Sequence, residues 1–428
     1  MSLPVLPLLL FVCLTAAQKT IDGEVVMDAN FRWLHKVDSY LSCYSGNIWD
    51  GGVCSSNENC TIICALEGAS YASAYGVQTA NDSISLRLKT YLDFSYNVGS
   101  RLFLMESKNR YQMFTLMDNE LAFDVDLSTV ECGINSALYF VPMDPDGGQA
   151  KHPTNKAGAE YGTGYCDASC PRDLKFIAGK ANMEGWVPSA TDPVSGNGIF
   201  GACCPQFSVW NSNAHSFSMS SHTCPRDSLY ICDPRHCDYN NIDPENRGRR
   251  LCDRWGCGYN PYRMGNRDFY GKGKKVDTAR KFTVVTQWSD TNVTQFFVQD
   301  GKRIDMPPPV WERLPQDAGL SAEMCSKQVT VFGERDQVAD NGGWEAHNRQ
   351  LLNTPMVMVM SIGTDHYAWN TWLDSVFPPD DPGFPGRERG DCLPYEDNEP
   401  LQAEARYPKA TVIWSNIRFG PLGSTVTA

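Results

Sequence analysis

The chain has 428 residues and a formal net charge of −13, which together with the lack of an extended basic cluster argues against nucleic acid as a partner. A chain of this length can bury a sizeable core, and β-sandwiches with long loops fold as one domain at this size. Its 17 cysteines indicate an oxidising compartment, where disulfides form and persist.

An apolar run at the start of the chain, residues 1–17, ends in Ala16-Ala17 and is typical of a cleaved secretory signal peptide. The run is too short for a transmembrane helix, which needs about 20 apolar residues. We therefore expect a secreted, extracellular protein with no membrane association, whose single domain covers residues 18–428. Removal of Cys13 with the signal leaves an even number of cysteines, which allows complete pairing.

Other short patterns agree with secretion. Asn-x-Ser/Thr sequons predict N-glycosylation at Asn59, Asn81 and Asn292.

The histidines show no ligand spacing, so we expect neither a metal nor another cofactor. No Ser/Thr/Pro-rich linker or internal repeat divides the chain, and we expect a monomer without a separate appended module.

Short runs of strand-forming residues dominate the chain, and helical periodicity is weak. The runs lie at residues 101–105, 121–126, 281–288, 294–299, 356–360 and 411–419. Asp300-Gly301, a turn signal, follows the fourth run, and the best helix candidate covers residues 371–376. Long Gly/Pro/Asn/Asp-rich segments separate the runs. This pattern predicts an all-β protein with two antiparallel sheets packed face to face.

The most specific pattern is the segment at residues 202–213, which reads ACCPQFSVWNSN. It resembles the catalytic strand of glycoside hydrolase family 7, the fungal cellobiohydrolases and endoglucanases, which reads Cys-Cys-x-Glu-x-Asp-x-Trp-Glu-x-Asn. The paired cysteines, Trp210 and Asn213 match this frame. The resemblance places three other residues, here called the three site positions, at the nucleophile, the assisting aspartate and the acid/base. They are Gln206, Ser208 and Asn211.

Further motifs extend the resemblance from Val25 to Thr425. They are MDANFRW at 27–33, GTGYCD at 162–167, CPRDLKF at 170–176, NPYR at 260–263 and SNIRFGP at 415–421. The resemblance implies a curved, concanavalin-like jelly-roll sandwich, in which a concave sheet forms a glucan groove under long disulfide-pinned loops.

The resemblance also implies how the cysteines pair. The implied bridges are Cys43–Cys64, Cys54–Cys60, Cys132–Cys392, Cys166–Cys204, Cys170–Cys203, Cys224–Cys252, Cys232–Cys237 and Cys257–Cys325. Two further bridges of the family involve an N-terminal segment that this chain lacks, and Ala65 stands where one of their cysteines would be.

A glucan groove needs aromatic faces for stacking and polar groups for the sugar hydroxyls. Of four tryptophans in the family, Trp33 and Trp372 match, Phe31 replaces the third, and Gly363 replaces the fourth, beside the cleavage point. Matching polar and charged positions are Asn135, Tyr139, Tyr165, Asp167, Lys175, His222, Arg247 and Arg389. Trp255 and Gly258 replace two aspartates on the product side.

Retaining hydrolysis needs a carboxylate nucleophile and a second carboxyl group about 5–5.5 Å away. Amide and hydroxyl side chains at the three site positions supply neither group. The sequence therefore predicts a catalytically inactive relative of the cellulases that binds β-1,4-glucan or a related wall polysaccharide. The alternative is an active β-1,4-glucanase with relocated carboxylates, for which Asp167 and Asp365 are candidates. A third possibility is that the three side chains only fill polar space in an unused groove.

Overall fold

The structure is a computed structural model that describes residues 19–20, 23–233, 251–379 and 383–426. Within these ranges most strand residues belong to two antiparallel sheets of nine strands each, here called the front sheet and the back sheet. This arrangement confirms the predicted all-β sandwich.

The front sheet carries the segment with the three site positions. Its strands are Glu24–Met27, Ser100–Ser107, Arg110–Tyr111, Met113–Phe114, Ile134–Val141, Gln206–Ser212, Phe217–His222, Cys257–Tyr259 and Met356–Thr364. The strands of the back sheet are Lys19–Thr20, Val77–Ala80, Ser83–Arg87, Asn119–Asp126, Phe282–Trp288, Asn292–Gln299, Lys302–Asp305, Leu320–Ser321 and Thr411–Pro421.

Small strand pairs and short helices lie in the loops. The pairs are Leu34–Lys36 with Cys64–Leu66, Tyr44–Ser45 with Ile48–Trp49, Lys89–Tyr91 with Tyr96–Val98, Phe176–Ile177 with Lys180–Ala181, Val187–Pro188 with Gly196–Asn197, Gly201–Cys203 with Tyr230–Cys232, and Tyr270–Gly271 with Val276–Asp277. The α-helices are Asn57–Ile63, Tyr71–Tyr75, Ala322–Phe332, Gln337–Asp340, Gly343–His347, Thr371–Asp374 and Pro400–Arg406, with 3-10 turns at Ala29–Phe31 and Ala159–Tyr161 and a π-helical turn at Asn348–Leu352. Among the residues that the structure describes, none of the helices has the length and apolar character needed to span a bilayer.

All six strand runs expected from the sequence are strands of the two sheets. The Asp300-Gly301 turn closes a tight hairpin, since Gln299 pairs with Lys302 and both turn residues have positive φ. The candidate helix at 371–376 is shorter than expected and ends at Asp374. The longest helix, Ala322–Phe332, was not expected, and one of its buried residues, Cys325, is bonded to Cys257.

The main core fills the space between the two sheets. Trp210, Trp288 and Trp414 are fully buried there, together with aromatic residues such as Phe123 and Phe140. A second apolar layer covers one end of the outer face of the front sheet, where loops pack on Phe103, Tyr139 and Val359 among others. The rest of that outer face carries polar side chains, among them the partly exposed Gln206 and Asn135.

Seven of the eight implied disulfides are present in the described part of the chain. They are Cys43–Cys64, Cys54–Cys60, Cys132–Cys392, Cys166–Cys204, Cys170–Cys203, Cys224–Cys252 and Cys257–Cys325. The eighth, Cys232–Cys237, falls outside the described residues because of Cys237. Cys203 and Cys204 lie just before the strand with the three site positions. Their bridges to Cys170 and Cys166 fix the loop at 166–170 beside the site.

The sequons lie in different settings. Asn81 and Asn292 are exposed, Asn81 in a turn and Asn292 at the start of a strand. Asn59 lies in the helix Asn57–Ile63, and its side-chain oxygen accepts a hydrogen bond from Ser55 N–H at 3.1 Å. Glycosylation at the three positions stays a prediction.

Candidate functional site

The site strand, Gln206–Ser212, lies between two neighbours in the front sheet, and a bulge decides which of its side chains face outward. The register with both neighbours is irregular around Val209. Both Val209 and Trp210 consequently point into the core between the sheets. Because a bulge shifts the alternation of the following residues, Asn211 lies on the same outer face as the other two site positions.

Two amide side chains and one hydroxyl form the centre of this surface. Gln206 Nε2 donates to Ser208 Oγ at 2.9 Å, and Gln206 Oε1 accepts from the Ala168 N–H at 3.3 Å. Asn135 Nδ2 donates to Asn211 Oδ1 at 3.1 Å, and Asn135 Oδ1 accepts from the Ser212 N–H at 3.0 Å. The three site positions are therefore held by neutral hydrogen bonds. Such groups bind sugar hydroxyls but neither attack an anomeric carbon nor carry a transferable proton.

A tyrosine pair beside this centre is hydrogen-bonded to a carboxylate. Tyr139 OH lies 2.7 Å from Tyr165 OH, and Tyr165 OH donates to Asp167 Oδ2 at 2.6 Å. Burial raises the pKa of both tyrosines, so both phenols stay protonated at neutral pH. The Arg101 guanidinium lies 3.5 Å from the centre of the Tyr165 ring and also bonds Asp28 at 2.6 Å.

His222 is buried opposite Gln206 on the neighbouring strand. Its Nδ1 lies 2.9 Å from the Asp253 carbonyl oxygen, which only accepts, so this nitrogen carries the proton. Its Nε2 lies 2.9 Å from Ser220 Oγ. Since burial lowers the pKa of His222, the ring is neutral at pH 7, and its Nε2 accepts a hydrogen bond from the Ser220 hydroxyl. His222 thereby fixes the hydroxyl of Ser220, the residue opposite Ser208 in the strand register.

The two carboxylates considered for relocated catalysis are both occupied. Asp167 lies beside Gln206, because the N–H of the next residue, Ala168, donates to the Gln206 side chain. Asp167 Oδ1 accepts hydrogen bonds from the Ser169 backbone N–H at 2.7 Å and from the Ser169 hydroxyl at 2.5 Å. Asp365 Oδ1 accepts from the backbone N–H groups of Tyr367 and Ala368 at 2.8 and 3.0 Å, which closes a local turn.

The predicted aromatic platforms differ in how open they are. The Trp33 ring is 37 % exposed, stacks on His35 at 4.4 Å and donates its N–H to Ser42 at 3.0 Å. Phe31 and Trp372 are partly buried, and Phe31 packs on the main core. Gly363 lies opposite Asn135 in the sheet, and a Cβ built there meets no atom within 4 Å. Open space is therefore present where the resemblance places a fourth ring.

Lys175 and Tyr165 line a cavity of about 390 Å³ together with Asn30. Lys175 Nζ donates to the Asn30 carbonyl at 2.6 Å and lies over the Tyr44 ring. Burial lowers the pKa of Lys175 to about 8, although Asp28 and Asp173 favour its charged form. The amine is therefore partly neutral in mildly alkaline solution.

Arg389 lines a second cavity, of about 210 Å³. The residues that line this cavity do not include the three site positions. Arg389 lies 3.4 Å from Glu334, which also bonds Arg263. Burial and the neighbouring Arg263 lower the pKa of Arg389 to about 9. Trp255, one of the two replacements for aspartate, lines the same cavity and packs on Phe377 at 5.0 Å. Arg247 lies outside the described residues.

Sequence reasoning missed Arg101, Asn30 and Ser220. Asn30 lies within the MDANFRW motif, and Ser220 precedes His222 by two residues, a spacing that puts both on one face of a strand. For Arg101 no local pattern was available, because its role follows from contacts with Asp28 and Tyr165 that are distant in sequence.

Three groups of metal-ligand atoms occur among the described residues, and each includes disulfide-bonded cysteines. They are Cys43/Cys54/Cys64, Cys132/His215/Cys392 and Cys170/Cys203/Cys252. Since the thiolate is the form that binds a metal, these groups offer no metal site while their disulfides are formed.

Comparison with known proteins gives a consistent result. A family model described as Glycosyl hydrolase family 7 matches residues 6–426. A cellobiohydrolase from Melanocarpus albomyces, solved in complex with cellotetraose, is 49% identical with a TM-score of 0.91, and the match covers 96% of each chain. A GH7 cellobiohydrolase from Daphnia pulex is 37% identical over 96% of each chain, with a TM-score of 0.91. The Humicola insolens endocellulase EGI is 30% identical over 96% of this chain and 97% of that chain, with a TM-score of 0.78.

Proposed function

The chain belongs to glycosyl hydrolase family 7, and on that premise we propose that it is a secreted, single-domain protein that binds β-1,4-glucan chains without hydrolysing them. The groove lies over the outer face of the front sheet, around the three site positions. Its ligand is a neutral, cellulose-like polysaccharide, and the protein acts on it by binding alone.

The observation that carries this proposal is the neutral network at the three site positions. Gln206 bonds Ser208, and Asn211 bonds Asn135, so all three side chains take part in hydrogen bonds between neutral groups. Retaining hydrolysis would need a carboxylate and a carboxylic acid here. Loss of either group removes several orders of magnitude of rate, because the nucleophilic and acid/base steps each contribute several kcal/mol.

The surrounding residues support binding. Trp33 offers an aromatic face, and the partly exposed amide side chains of Gln206 and Asn135 offer polar contacts to sugar hydroxyls. The Melanocarpus albomyces cellobiohydrolase, which shares the fold at 49% identity, was solved with cellotetraose bound. That relative supports a β-1,4-linked glucan as the ligand class.

The competing function is hydrolysis by relocated carboxylates. Asp167 is the candidate adjacent to Gln206, but Tyr165, the Ser169 N–H and the Ser169 hydroxyl already bond its two oxygens. Asp365 is likewise engaged, since its Oδ1 accepts two backbone N–H groups in a local turn. These contacts favour the binding function.

A glycan array and a hydrolysis assay on the same purified protein test the proposal. We expect binding to cello-oligosaccharides and no release of reducing sugar from soluble β-1,4-glucan above a buffer control. Asp167→Asn is the matched variant, because it removes the candidate carboxylate beside Gln206. Hydrolysis by the parent that is lost in Asp167→Asn would establish the competing function, and absence of glucan binding would refute the proposal.

A further inference from the structure

Two loops meet at the side chain of His366. The first, here called the roof loop, covers residues 189–195 and joins the two strands of a short hairpin. The second covers residues 365–370 and directly follows a strand of the front sheet. His366 lies on the second loop, and the backbone of Thr191, in the roof loop, is a hydrogen-bond partner of its ring. The Asp192 carboxylate of the roof loop also lies close enough to favour the charged form of His366.

The two loops start at opposite ends of the site strand. One end is marked by Gln206, and on that side the chain just after the roof loop is fixed, since Gly198 N–H donates to the Arg172 carbonyl at 2.8 Å. The other end is marked by Asn211, whose hydrogen-bond partner pairs with Gly363 just before the second loop. These two ends are about 16 Å apart at the usual rise of a strand. Contact between the loops therefore spans the part of the outer face that holds the three site positions.

The roof loop also has anchors that do not involve His366. Asn47 Nδ2 donates to the carbonyl oxygens of Ser189 and Asp192 at 3.1 and 3.2 Å. The Tyr44 hydroxyl donates to the Val194 carbonyl at 3.2 Å. Since these bonds hold the loop whatever the charge of His366, a change at His366 alters the contact between the loops rather than the fold of the hairpin.

A buried carboxylate lies on the other side of the His366 ring. His366 Nε2 is 3.0 Å from Glu404 Oε1, and the Thr364 hydroxyl donates to the same oxygen at 2.8 Å. The Glu404 side chain is 3% exposed and that of His366 is 15% exposed. The ring is therefore held between a fixed acceptor in the helix Pro400–Arg406 and the roof loop.

The charge of His366 decides whether both contacts form. A neutral imidazole carries one N–H, so it donates through one ring nitrogen only, whereas the imidazolium donates through both. With Nε2 at Glu404, Nδ1 is left for the Thr191 carbonyl, and both of these partners are acceptors. Burial lowers the pKa of His366, but the hydrogen bond to Glu404 and the charges of Asp192 and Glu404 raise it above its usual value.

Other charged and titratable groups stand beside His366 on its own loop. Asp365 Oδ1 accepts the backbone N–H groups of Tyr367 and Ala368. The Arg254 guanidinium lies 4.8 Å from the centre of the exposed Tyr367 ring. The groups that face His366 from the two elements packed against it are the carboxylates of Glu404 and Asp192.

We propose that His366 is a proton-dependent latch that closes the roof loop over the groove. The protonated ring donates to both Glu404 and the Thr191 carbonyl and so ties the two loops together. The neutral ring keeps one donor, which stays with the carboxylate, and the roof loop is released. Closure is therefore complete in acidic solution and is lost as the pH rises and His366 loses its proton. The closed loop retains a bound glucan chain, a consequence that rests on the proposed function, whereas the movement of the loop does not.

Hydrogen–deuterium exchange of residues 189–195 in the full protein, corrected for the intrinsic rate at each pH, tests the latch without a ligand. We expect the roof loop to open about tenfold more often at about pH 9 than at about pH 5.5, the effect of one charge-assisted hydrogen bond. His366→Gln should open equally often at both pH values. The matched control is His215→Gln, because His215 also has a raised pKa but bonds Glu131 and Asp391. It should behave like the parent.

A second variant acts from the roof loop itself. Asp192→Asn keeps an acceptor for the Val194 N–H, so the loop should fold as in the parent. Because the variant removes a charge that favours protonated His366, its roof loop should open at lower pH than that of the parent.

The rate of cellotetraose dissociation tests what the latch does to a ligand. In the parent this rate should increase about tenfold between the two pH values, and in His366→Gln it should be fast at both. The pKa of Lys175, which lines the cavity near Tyr165, is about 8. A pH effect that persists in His366→Gln therefore belongs to Lys175 and not to the latch.

The remaining outcomes separate the latch from the binding function. Loop opening that does not change with pH in the parent, or changes equally in His366→Gln, would overturn the latch. Opening that follows His366 while cellotetraose dissociation stays constant would overturn retention of the ligand by the loop. A parent that binds no cellotetraose would refute the proposed function, and the exchange measurement would still decide the latch.

Discussion

Asn135 Nδ2 donates to the side-chain oxygen Oδ1 of Asn211 at 3.1 Å, across two neighbouring strands of the front sheet. The partner that would contact an acid at position 211 is therefore already in place. Likewise, the Ala168 N–H that bonds Gln206 would bond a glutamate oxygen there. Both contacts suit carboxylates as well as amides, so the surroundings of the site tolerate acidic side chains.

Reversion of the three site positions should restore weak hydrolysis. The triple variant Gln206→Glu, Ser208→Asp, Asn211→Glu supplies the carboxylate set that retaining hydrolysis needs, whereas each single reversion should stay near background because the groups act as a unit. Adding Gly363→Trp should increase the rate further, because the space at Gly363 is open and a ring there would stack on the sugar. Release of reducing sugar from soluble β-1,4-glucan is the measurement.

The control for the reversion series is Gly363→Trp in the parent, which should bind glucan but remain inactive. Strong turnover by the triple variant without Gly363→Trp would show that only the chemistry had been lost and the groove had not changed. Turnover by the unmodified parent would contradict the inactive-relative hypothesis itself.

Trp33→Ala should weaken binding of cello-oligosaccharides about tenfold, since stacking on an aromatic platform is worth roughly 1–3 kcal/mol by analogy with nucleic-acid bases. The Tm should change little, because Trp33 is partly exposed and lies outside the main core. Trp33→Phe keeps an aromatic face and should recover part of the affinity. Calorimetric titration with cellotetraose measures both effects, and equal affinity of parent and Trp33→Ala would exclude Trp33 from the groove.

The Cys132–Cys392 and Cys54–Cys60 disulfides should differ in their effect on stability. Their cysteines are 260 and 6 residues apart in sequence. The chain-entropy model then predicts that removing the long-range bridge costs about 3 kcal/mol more than removing the short one. Each bridge is removed by a Cys→Ser pair, and the free energy of unfolding in denaturant is compared. A larger loss for Cys54–Cys60 would contradict the entropic explanation.

His215 should make stability depend on pH in alkaline solution. Burial alone would lower the pKa of His215, but hydrogen bonds to Asp391 and Glu131 raise it to about 9. The folded-state pKa of His215 lies above the unfolded value of 6.5, so protonation of His215 stabilises the fold. This stabilisation is complete below about pH 6.5 and is lost as the pH rises through about 9.

The measurement is the free energy of unfolding of the parent and of His215→Gln across this range. The difference between the two proteins should be largest below about pH 6.5, should fall as the pH rises, and should be lost above about pH 9. Asp391→Asn, which removes one hydrogen-bond partner of His215, should move the upper limit to lower pH. A difference that does not change with pH would show that His215 acts by packing alone.

Local sequence patterns were sufficient for the strands and for the tight turn after Gln299. Alternation of apolar and polar residues depends on which side of a sheet is buried, and it is readable without tertiary contacts. The Asp300-Gly301 pair predicts its hairpin because few other residues adopt positive φ at both positions. The disulfide pairs came from the family resemblance, since spacing alone leaves many connectivities open.

Other features depended on contacts between distant residues. The bulge at Val209 sends Trp210 into the core and Asn211 outward, whereas simple alternation would place Trp210 beside the other site positions. The helix Ala322–Phe332 has a weak pattern because polar Gln328 is buried and Cys325 is fixed by a bridge.

The sequence by itself determined the fold class, the strand positions and the residue types at the three site positions. Only the tertiary structure decided which groups satisfy those residues and which apolar side chains are left exposed. Phe94 and Phe123 are the same residue type, yet one is at a hairpin tip and the other is buried between the sheets. Burial and hydrogen-bond partners are set by the whole packing arrangement, because the atoms that cover a side chain come from segments far away in the chain.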